Sequence, residues 1–304
     1  MNPVGKIAQY FGYGLAGIII FGIITGIVAA VGGILTAVGI ISRKAPDLNV
    51  NCAAYDNCLA VSVGAANLVV KTGTELSYTS DINDLEVSLG DTSLTIKDNS
   101  RVKWFGNNDK KTITVTVPEN MKFDAIGITS GAGKITTEKL VAEKVKFDLG
   151  AGETVIRDLE VIDSADIDAG MGKVTIDGGT INNANISLGV GEANIRSKLT
   201  GRSKVDCGIG SVNLDLLLPD SAYTIRADKG IGSISFNGNK ISDNTIIGNG
   251  KYDLSVDGGI GSVNIKTTPV KYEIEETIDE SKEEKPEETI ETDETSGIVI
   301  EPQE

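Results

Sequence analysis

One glycine-containing tripeptide, Gly-x-Gly, recurs seven times between residues 131 and 261 of this 304-residue chain at nearly constant spacing. Its first glycines are Gly131, Gly150, Gly170, Gly189, Gly208, Gly230 and Gly259. Successive copies lie 19, 20, 19, 19, 22 and 29 residues apart. A fixed period of this length indicates one small structural unit stacked many times, as in a solenoid. We therefore interpret these seven glycines as the turns of a structural repeat.

Apolar residues keep constant positions relative to each first glycine. Positions −3 and +1 are apolar in every copy, and positions +4 and +6 are apolar in most. Side chains two residues apart share one face of a strand, so these positions predict apolar ladders inside the coil. The alternation changes phase between +1 and +4, across the second glycine. This change predicts a corner there, where glycine tolerates the backbone geometry or the crowding.

The length of the repeat decides between fold classes. A unit of about 20 residues is too short for a strand–helix–strand unit, which needs about 30. It suits short strands that pair in parallel with the equivalent strand one coil further on. The predicted fold class is therefore all-β: a single-stranded parallel β-helix, or β-solenoid, with coils of about 19–20 residues. A β-sandwich would not explain why the same offsets recur around the same glycines.

Weaker copies of the pattern extend the solenoid toward the amino terminus. Gly64 and Gly90 each have apolar residues at most of the expected offsets, and residues 112–117 alternate Thr with Ile and Val. We therefore place the β-solenoid domain at residues 59–269. Trp104 and Phe105 lie in the least regular stretch of this domain, where a loop or an edge plug is expected.

The amino terminus has the composition of a membrane anchor. Residues 15–41 are almost all apolar or small, and no charged residue lies between Lys6 and Arg43. About 20 apolar residues suffice to cross a bilayer. We predict an N-terminal flank at 1–14, one transmembrane helix at 15–42 and a juxtamembrane linker at 43–58. Gly22 and Gly26 form a Gly-x-x-x-Gly pair, which is a candidate for self-association of this helix in the membrane, although glycine is also simply common in such helices.

The two sequence signals for membrane orientation oppose each other. Lys6 faces Arg43 and Lys44 across the predicted span, which weakly favours a cytoplasmic solenoid. Cys52 and Cys58 favour the opposite side, because such a pair could form a local disulfide in an oxidising compartment. The alternative is two unrelated free thiols. Cys207 takes position −1 of its coil, where we predict a buried apolar filler.

The carboxyl terminus differs from the solenoid in composition. From Lys271 to Glu304 there are 14 acidic and 3 basic residues, a net charge of −11 against −15 for the whole chain. Such a segment cannot bury enough apolar surface to fold, so residues 270–304 are predicted to be a disordered acidic tail. The acidity also argues against a nucleic-acid partner, which requires a basic surface.

Two columns of polar residues accompany the repeat. Position −2 carries mostly aspartate, for which we favour hydrogen bonding to the corner backbone over cation binding. Position +3 carries Lys134, Glu153, Lys173 and Glu192 before it changes to serine, which predicts charge pairing between neighbouring coils. The chain has no histidine, which removes Ser-His and Cys-His catalytic pairs. We predict no catalytic residue, no metal ligand and no cofactor.

The chain resembles a known bacterial family in its combination of features. These are the N-terminal anchor, the segment from Ile113 to Pro118 that leads into the coil from Ile126 to Ile135, the repeated corners and a late Leu-Leu-Leu-Pro sequence ending at Pro219. Together they resemble the putative-adhesin family, a domain-of-unknown-function family of membrane-anchored surface β-solenoids. The resemblance covers about residues 59–268. It implies a rod outside the cytoplasmic membrane and transfers no catalytic residue.

The sequence thus predicts a non-catalytic binding or structural module of the cell envelope, either adhesin-like or associated with envelope stress. The expected partners are the membrane lipid bilayer and, as candidates, envelope proteins or glycans. Two alternatives stay open. One is a membrane-tethered scaffold that polymerises in the manner of bactofilins, and the other is a carbohydrate-active β-helix enzyme. We expect the protein in the cell membrane as a single-pass protein with its solenoid outside the cytoplasm.

Overall fold

The structure, a computed structural model, describes residues 46–99 and 111–269. These ranges contain fifteen β-strands and two short 3-10 helices, at Cys52–Ala54 and Asp220–Ala222. The strands are β1 (Cys58–Ala65), β2 (Asn67–Gly73), β3 (Ser77–Ser80), β4 (Leu85–Leu89), β5 (Ser93–Asp98), β6 (Thr112–Pro118), β7 (Phe123–Asn182), β8 (Ala184–Thr200), β9 (Arg202–Leu216), β10 (Tyr223–Asp228), β11 (Ile231–Phe236), β12 (Asn239–Ile241), β13 (Thr245–Ile247), β14 (Tyr252–Asp257) and β15 (Ile260–Thr267). The domain is therefore all-β, as predicted.

The central strands stack in parallel at the predicted step. Ile167 pairs with Ile186, which pairs in turn with Val205, so that each partner is 19 residues further along the chain. Ile195 pairs with Ile176 on one side and with Leu214 on the other, again 19 residues away. These side chains are buried and belong to one continuous apolar core. Stacked rungs of apolar residues at constant offsets therefore form the interior of a solenoid.

The glycines of each corner are required by close contact between rungs. A Cβ atom on Gly150 would lie 2.2 Å from the carbonyl oxygen of Gly131. The second glycine of a corner is more restricted, since Gly191 has φ +143° and its Cβ would lie 1.8 Å from the carbonyl oxygen of Gly172. A side chain would thus meet both steric overlap and a backbone conformation that is nearly exclusive to glycine.

The phase of the corner differs from the prediction in one respect. Position −1 is buried at Leu188 and Cys207, whereas position +1 is exposed at Met171 and Val190. The strand therefore turns at the first glycine, before position +1, and the side chain between the two glycines points outward. The prediction that position +1 lies inside the coil is wrong, because the apolar pattern alone does not show on which side of the corner the phase changes.

The order of rungs at the carboxyl end also departs from chain order. Ile209 of β9 pairs with Ile260 of β15, and Ile260 pairs with Ile231 of β11. The rung containing Gly259 therefore lies between those containing Gly208 and Gly230. The assumption that successive coils are always neighbours is wrong here. The longer steps of 22 and 29 residues mark this region, because they allow the chain to skip one rung and return to fill it.

The amino end shows a related arrangement. β1 lies between β5 and the start of β7, and β2 lies between β6 and β7. The rung around Gly64 is thus confirmed, and β6 confirms the strand predicted at residues 112–117. The predicted coil around Gly90 is wrong, because Gly90 lies in the turn of an antiparallel hairpin formed by β4 and β5. Ile96 of this hairpin pairs with Val61 and takes position −3 rather than +6.

Antiparallel strands cover both ends of the stack. At the amino end, β4 pairs with β5 and β3 pairs with β6. At the carboxyl end, β12 pairs with β11 and β13 pairs with β10. Parallel rungs with open edges would pair with another chain. These short antiparallel strands occupy those edges and so act as caps.

The described part of the predicted juxtamembrane linker packs on the first rungs. The Asn49 side-chain amide donates to the carbonyl oxygen of Lys146 at 3.0 Å and to Oδ2 of Asp148 at 3.0 Å. The Ser62 hydroxyl donates to the carbonyl oxygen of Pro46. Cys52 and Cys58 form a disulfide with their Cα atoms 5.3 Å apart. This segment is therefore attached to the solenoid by specific contacts.

Several predictions fall outside the described residues. They are the flank at 1–14, the transmembrane helix at 15–42 with Gly22 and Gly26, the region of Trp104 and Phe105, and the acidic tail at 270–304. Within residues 46–99 and 111–269, no helix has the length and apolarity needed to span a bilayer.

Candidate functional site

A line of apolar side chains runs along the outside of the stack at position +1. We call it the corner ladder. In spatial order its members are Ala132, Ala151, Met171, Val190, Ile209, Ile260 and Ile231. Neighbouring members are one rung apart, about 4.8 Å. Each lies between the two glycines of a corner, whose missing side chains leave it projecting from the surface.

Exposure along the corner ladder is highest at the carboxyl end of the stack, but it does not rise evenly. Its first members are alanines, Met171 is 45% exposed, Ile209 is half-buried, Ile260 is 49% exposed and Ile231 70%. Large exposed apolar side chains in a contiguous line are typical of binding surfaces, while scattered ones are ordinary. The carboxyl-terminal members Ile209, Ile260 and Ile231 occupy three adjacent rungs, and we call them the isoleucine patch.

An acidic column runs parallel to the corner ladder at position −2. Its members in spatial order are Asp148, Asp168, Ser187, Asp206, Asp257 and Asp228. Three aspartates therefore occupy the same three rungs as the isoleucine patch. Position +3 on the other side of these rungs carries only serines, Ser211, Ser262 and Ser233. The isoleucine patch thus has an acidic border on one side and a neutral border on the other.

The carboxylates of the acidic column repel one another. Partial burial, together with the carboxylates of Asp166 and Asp148, raises the pKa of Asp168. Partial desolvation, followed by the effect of Asp243 and Asp257, raises the pKa of Asp228. In both cases the surroundings disfavour the charged form of the carboxyl group.

The predicted role of this column in turn capping is seen at one corner. Oδ1 of Asp257 accepts a hydrogen bond from the backbone N–H of Gly259 at 3.0 Å. Other members have different partners, since Asp148 accepts from Asn49 and Asp206 pairs with Lys204, whose pKa it raises. Among residues 46–99 and 111–269 there is no group of three or more acidic, histidine or cysteine side chains arranged to hold a metal ion.

The charges at position +3 form pairs. Lys134 lies 2.9 Å from Glu153, and Lys173 lies 3.2 Å from Glu192. Hydrogen bonding from Asn194 and from Lys173 lowers the pKa of Glu192. The predicted charge pairing between neighbouring coils is thus present as two separate ion pairs.

A second alternating charge column, at position +7, was missed by the sequence analysis. Arg196 lies 3.2 Å from Asp177 in the preceding rung and 3.4 Å from Asp215 in the following one. Lys266 is the register partner of Asp215 on its other side. The alternation was visible in the sequence as Glu138, Arg157, Asp177, Arg196 and Asp215, which share one offset. Placing Lys266 next to Asp215 required the order of the rungs in the structure.

Polar side chains between these two columns bond to one another. The Asn213 amide donates to Asn194 at 2.8 Å, the Asn264 amide donates to Asn213 at 2.9 Å, and the Ser235 hydroxyl donates to Asn264 at 2.8 Å. A groove of about 570 Å³ runs over this amide ladder. Because these groups already satisfy each other, they offer fewer free donors and acceptors than an unpaired polar surface. The corner ladder is the stronger candidate site.

The structure places the sequence-predicted site residues in three groups. The seven repeat glycines line up along one edge, in the order Gly131, Gly150, Gly170, Gly189, Gly208, Gly259 and Gly230. Cys52 and Cys58 are joined next to the first rungs. Gly22 and Gly26 lie outside the described residues. The corner ladder itself was recognised in the sequence but assigned to the interior.

The fold and its surface define a capped β-solenoid with regular columns on its exterior. The chain belongs to the Toastrack DUF4097 family, whose model matches residues 57–297. This match confirms the resemblance to a domain-of-unknown-function family of putative adhesins. No curated protein matches the chain.

Three solved structures are among those similar to this chain. A putative cell adhesion protein from Clostridium sporogenes shares 16% identity, with 74% of this chain and 100% of that chain covered and a TM-score of 0.32. A putative lipid binding protein from Parabacteroides distasonis shares 17% identity over 69% of this chain and 92% of that chain, with a TM-score of 0.40. A putative adhesin from Bacteroides fragilis shares 15% identity over 70% and 90%, with a TM-score of 0.28.

Proposed function

We propose that this protein is a membrane-anchored, non-catalytic binding or structural module of the cell envelope, with its solenoid outside the cytoplasm. The observation that carries the binding role is the corner ladder. It presents large apolar side chains, with Ile231 70% exposed, at fixed spacing on a hydrogen-bonded stack. Exposing such a line to water is unfavourable unless another molecule covers it.

Two further features support the extracytoplasmic location. The disulfide between Cys52 and Cys58 lies at the start of β1, and disulfides persist in oxidising compartments. The apolar segment at 15–42 has the length of a transmembrane helix and ends shortly before this disulfide. An anchor at that position would hold the amino end of the stack nearest the membrane.

The surface disfavours the two alternative functions. A polymer built from stacked ends would need open terminal rungs, whereas β3, β4, β12 and β13 cover them. A glycosidase would need two carboxyl groups facing a common substrate. In the groove over the amide ladder, the carboxylates of Asp177 and Asp215 instead flank Arg196 in ion pairs.

The proposal is tested by cysteine labelling in intact cells. Ile231→Cys is placed on the corner ladder and Ile162→Cys, a control of 48% exposure, lies elsewhere on the coil. Both should react with a membrane-impermeant maleimide without lysis. The native thiol of Cys207 should give no background, because it is buried and burial raises its pKa.

The same experiment tests whether the corner ladder is covered. In cells, Ile231→Cys should react more slowly than Ile162→Cys, although it should react at least as fast in the purified chain. Labelling of both sites only after lysis would contradict the extracytoplasmic location. A rate ratio that is the same in cells and in the purified protein would contradict the binding role.

A further inference from the structure

We infer that the isoleucine patch binds an amphipathic helix of another protein, whose apolar stripe packs on Ile209, Ile260 and Ile231 and whose basic residues face Asp206, Asp257 and Asp228. This inference rests on the proposed function, since it names the partner of the same corner ladder. It follows from the spacing, charge and area of the patch.

The spacing of the patch matches one face of a helix. Three adjacent rungs place the outer two isoleucines about 9.6 Å apart. Helical residues i, i+4 and i+7 lie on one face, and seven residues rise about 10.5 Å. Three apolar side chains of a helix laid along the ladder therefore meet the exposed Ile260 and Ile231 and the half-buried Ile209. An extended strand matches the isoleucines less well, because its residues on one face repeat about every 6.6–6.8 Å, whereas the rungs repeat about every 4.8 Å.

The charge of the patch selects a basic partner. Asp257 and Asp228 form no salt bridge within the part of the chain that the structure describes, and they are register partners in neighbouring rungs. Lys204 pairs with Asp206 in the third rung. Lysine or arginine side chains on a bound helix would neutralise this border. The chain carries a net charge of −15, so a second copy would bring further repulsion.

The small apolar area of the patch favours a single helix over a globular chain or a glycan. A line one side chain wide exposes an apolar area on the order of a few hundred Å². A stable dimer of globular chains buries about 800 Å² on each partner. A single helix fits the smaller area. A glycan fits less well, because its hydroxyl groups would lose water against aliphatic side chains without gaining hydrogen bonds.

The position of the patch disfavours a bilayer as the occupant. Pro46, where the described chain begins, contacts Ser62 in the second rung, whereas Ile231 lies in the last rung. The point where the described chain begins and the patch are therefore at opposite ends of the stack. Anionic lipid headgroups would also be repelled by the aspartates of the acidic column.

Binding is tested with the full chain in nanodiscs of zwitterionic lipid, using synthetic helical peptides of about 18 residues, long enough to form helix in water. One peptide has a leucine stripe flanked by lysines, a second has the same stripe flanked by glutamates, and a third has the lysines without the stripe. Fluorescence anisotropy measures their affinity, and nanodiscs without protein give the background. The lysine-flanked amphipathic peptide should bind at least about tenfold more tightly than either other peptide.

Matched variants locate the binding surface. Ile260→Ser with Ile231→Ser should weaken binding of this peptide by about tenfold or more, and Ile162→Ser, of nearly equal exposure to Ile260, should leave it unchanged. Asp257→Asn with Asp228→Asn should remove the preference for lysine over glutamate flanks. Unchanged thermal unfolding of each variant would show that the fold is retained, and Ile260→Ala provides a milder change if serine disturbs it.

Several results would overturn the inference. Equal binding of the lysine- and glutamate-flanked peptides, or equal binding by the Ile260→Ser, Ile231→Ser variant, would do so. Ladder-dependent flotation with phospholipid vesicles would identify a bilayer as the occupant, and ladder-dependent doubling of particle mass would identify a second copy. Because maleimide labelling in cells tests the location and coverage of the ladder separately, failure of the helix inference would leave the proposed function standing.

Discussion

Replacement of one corner glycine measures how strictly the rungs depend on close backbone contact. Gly191 has φ +143°, and a Cβ there would lie 1.8 Å from the carbonyl oxygen of Gly172 and 2.8 Å from its carbonyl carbon. Both atoms belong to the backbone of the neighbouring rung, so no side chain can move aside. Gly191→Ala combines backbone strain of about 1–3 kcal/mol with this overlap, and we expect a total loss on the order of 4 kcal/mol or more.

Gly238→Ala provides the matched control. Gly238 also has positive φ, +82°, but a Cβ there would have no atom within 4 Å. Its loss should be limited to backbone strain of about 1–2 kcal/mol. Urea unfolding of the full chain in nanodiscs, followed by far-ultraviolet circular dichroism, gives both values. Similar losses for the two variants would refute the claim that glycines are needed for contact between rungs.

Three further changes test the columns and the core. Asp168→Asn should raise stability at pH 7 by up to about 1 kcal/mol, because it removes a partly desolvated charge that nearby carboxylates also repel. The pKa of Asp168 is raised in the folded state, so its charged form destabilises the fold. This destabilisation develops as the pH rises from 3.8, the ordinary pKa, through the folded pKa. The gain from Asp168→Asn should therefore vanish when unfolding is measured below pH 3.8. Cys207→Ala should lower the free energy of unfolding by about 1 kcal/mol through a small cavity, and the native thiol should react with maleimide only after unfolding. Arg196→Ala should cost about 1 kcal/mol at low salt and less at 1 M NaCl, because its two ion pairs are exposed; equal losses at both salt concentrations would contradict this assignment.

The repeat made the interior of the fold predictable from sequence. Ile167, Ile186 and Val205 share an offset, and a parallel stack must place equal offsets side by side. The glycine at each corner follows from the same stacking, because its neighbour in the next rung is another glycine backbone. Local spacing was sufficient for these features, since each rung depends mainly on the rungs beside it.

The surface was less predictable, for two physical reasons. The apolar residues at position +1 suggested burial, but their direction depends on the backbone turn at Gly170 or Gly189, which hydrophobicity does not encode. After Leu216 the chain can either continue with the next rung or skip one rung and fill it later. Both orders of rungs place equal offsets side by side, so the apolar pattern does not distinguish them. The Gly90 hairpin was missed for a similar reason, because alternating apolar residues fit parallel and antiparallel pairing equally well.

The account places the isoleucine patch on three adjacent parallel rungs, with the rung around Gly259 between those around Gly208 and Gly230, so a cross-linking measurement tests it most directly. In a Cys207→Ala chain, Ser262→Cys with Ser211→Cys, and Ser262→Cys with Ser233→Cys, each join register partners about 4.8 Å apart, within disulfide range. Ser211→Cys with Ser233→Cys spans two rungs, about 9.6 Å, and is out of range. After mild oxidation and proteolysis, mass spectrometry should find the new disulfide in the first two variants and not in the third. A disulfide between positions 211 and 233, with none between 211 and 262, would show that the rungs follow chain order and would contradict the account.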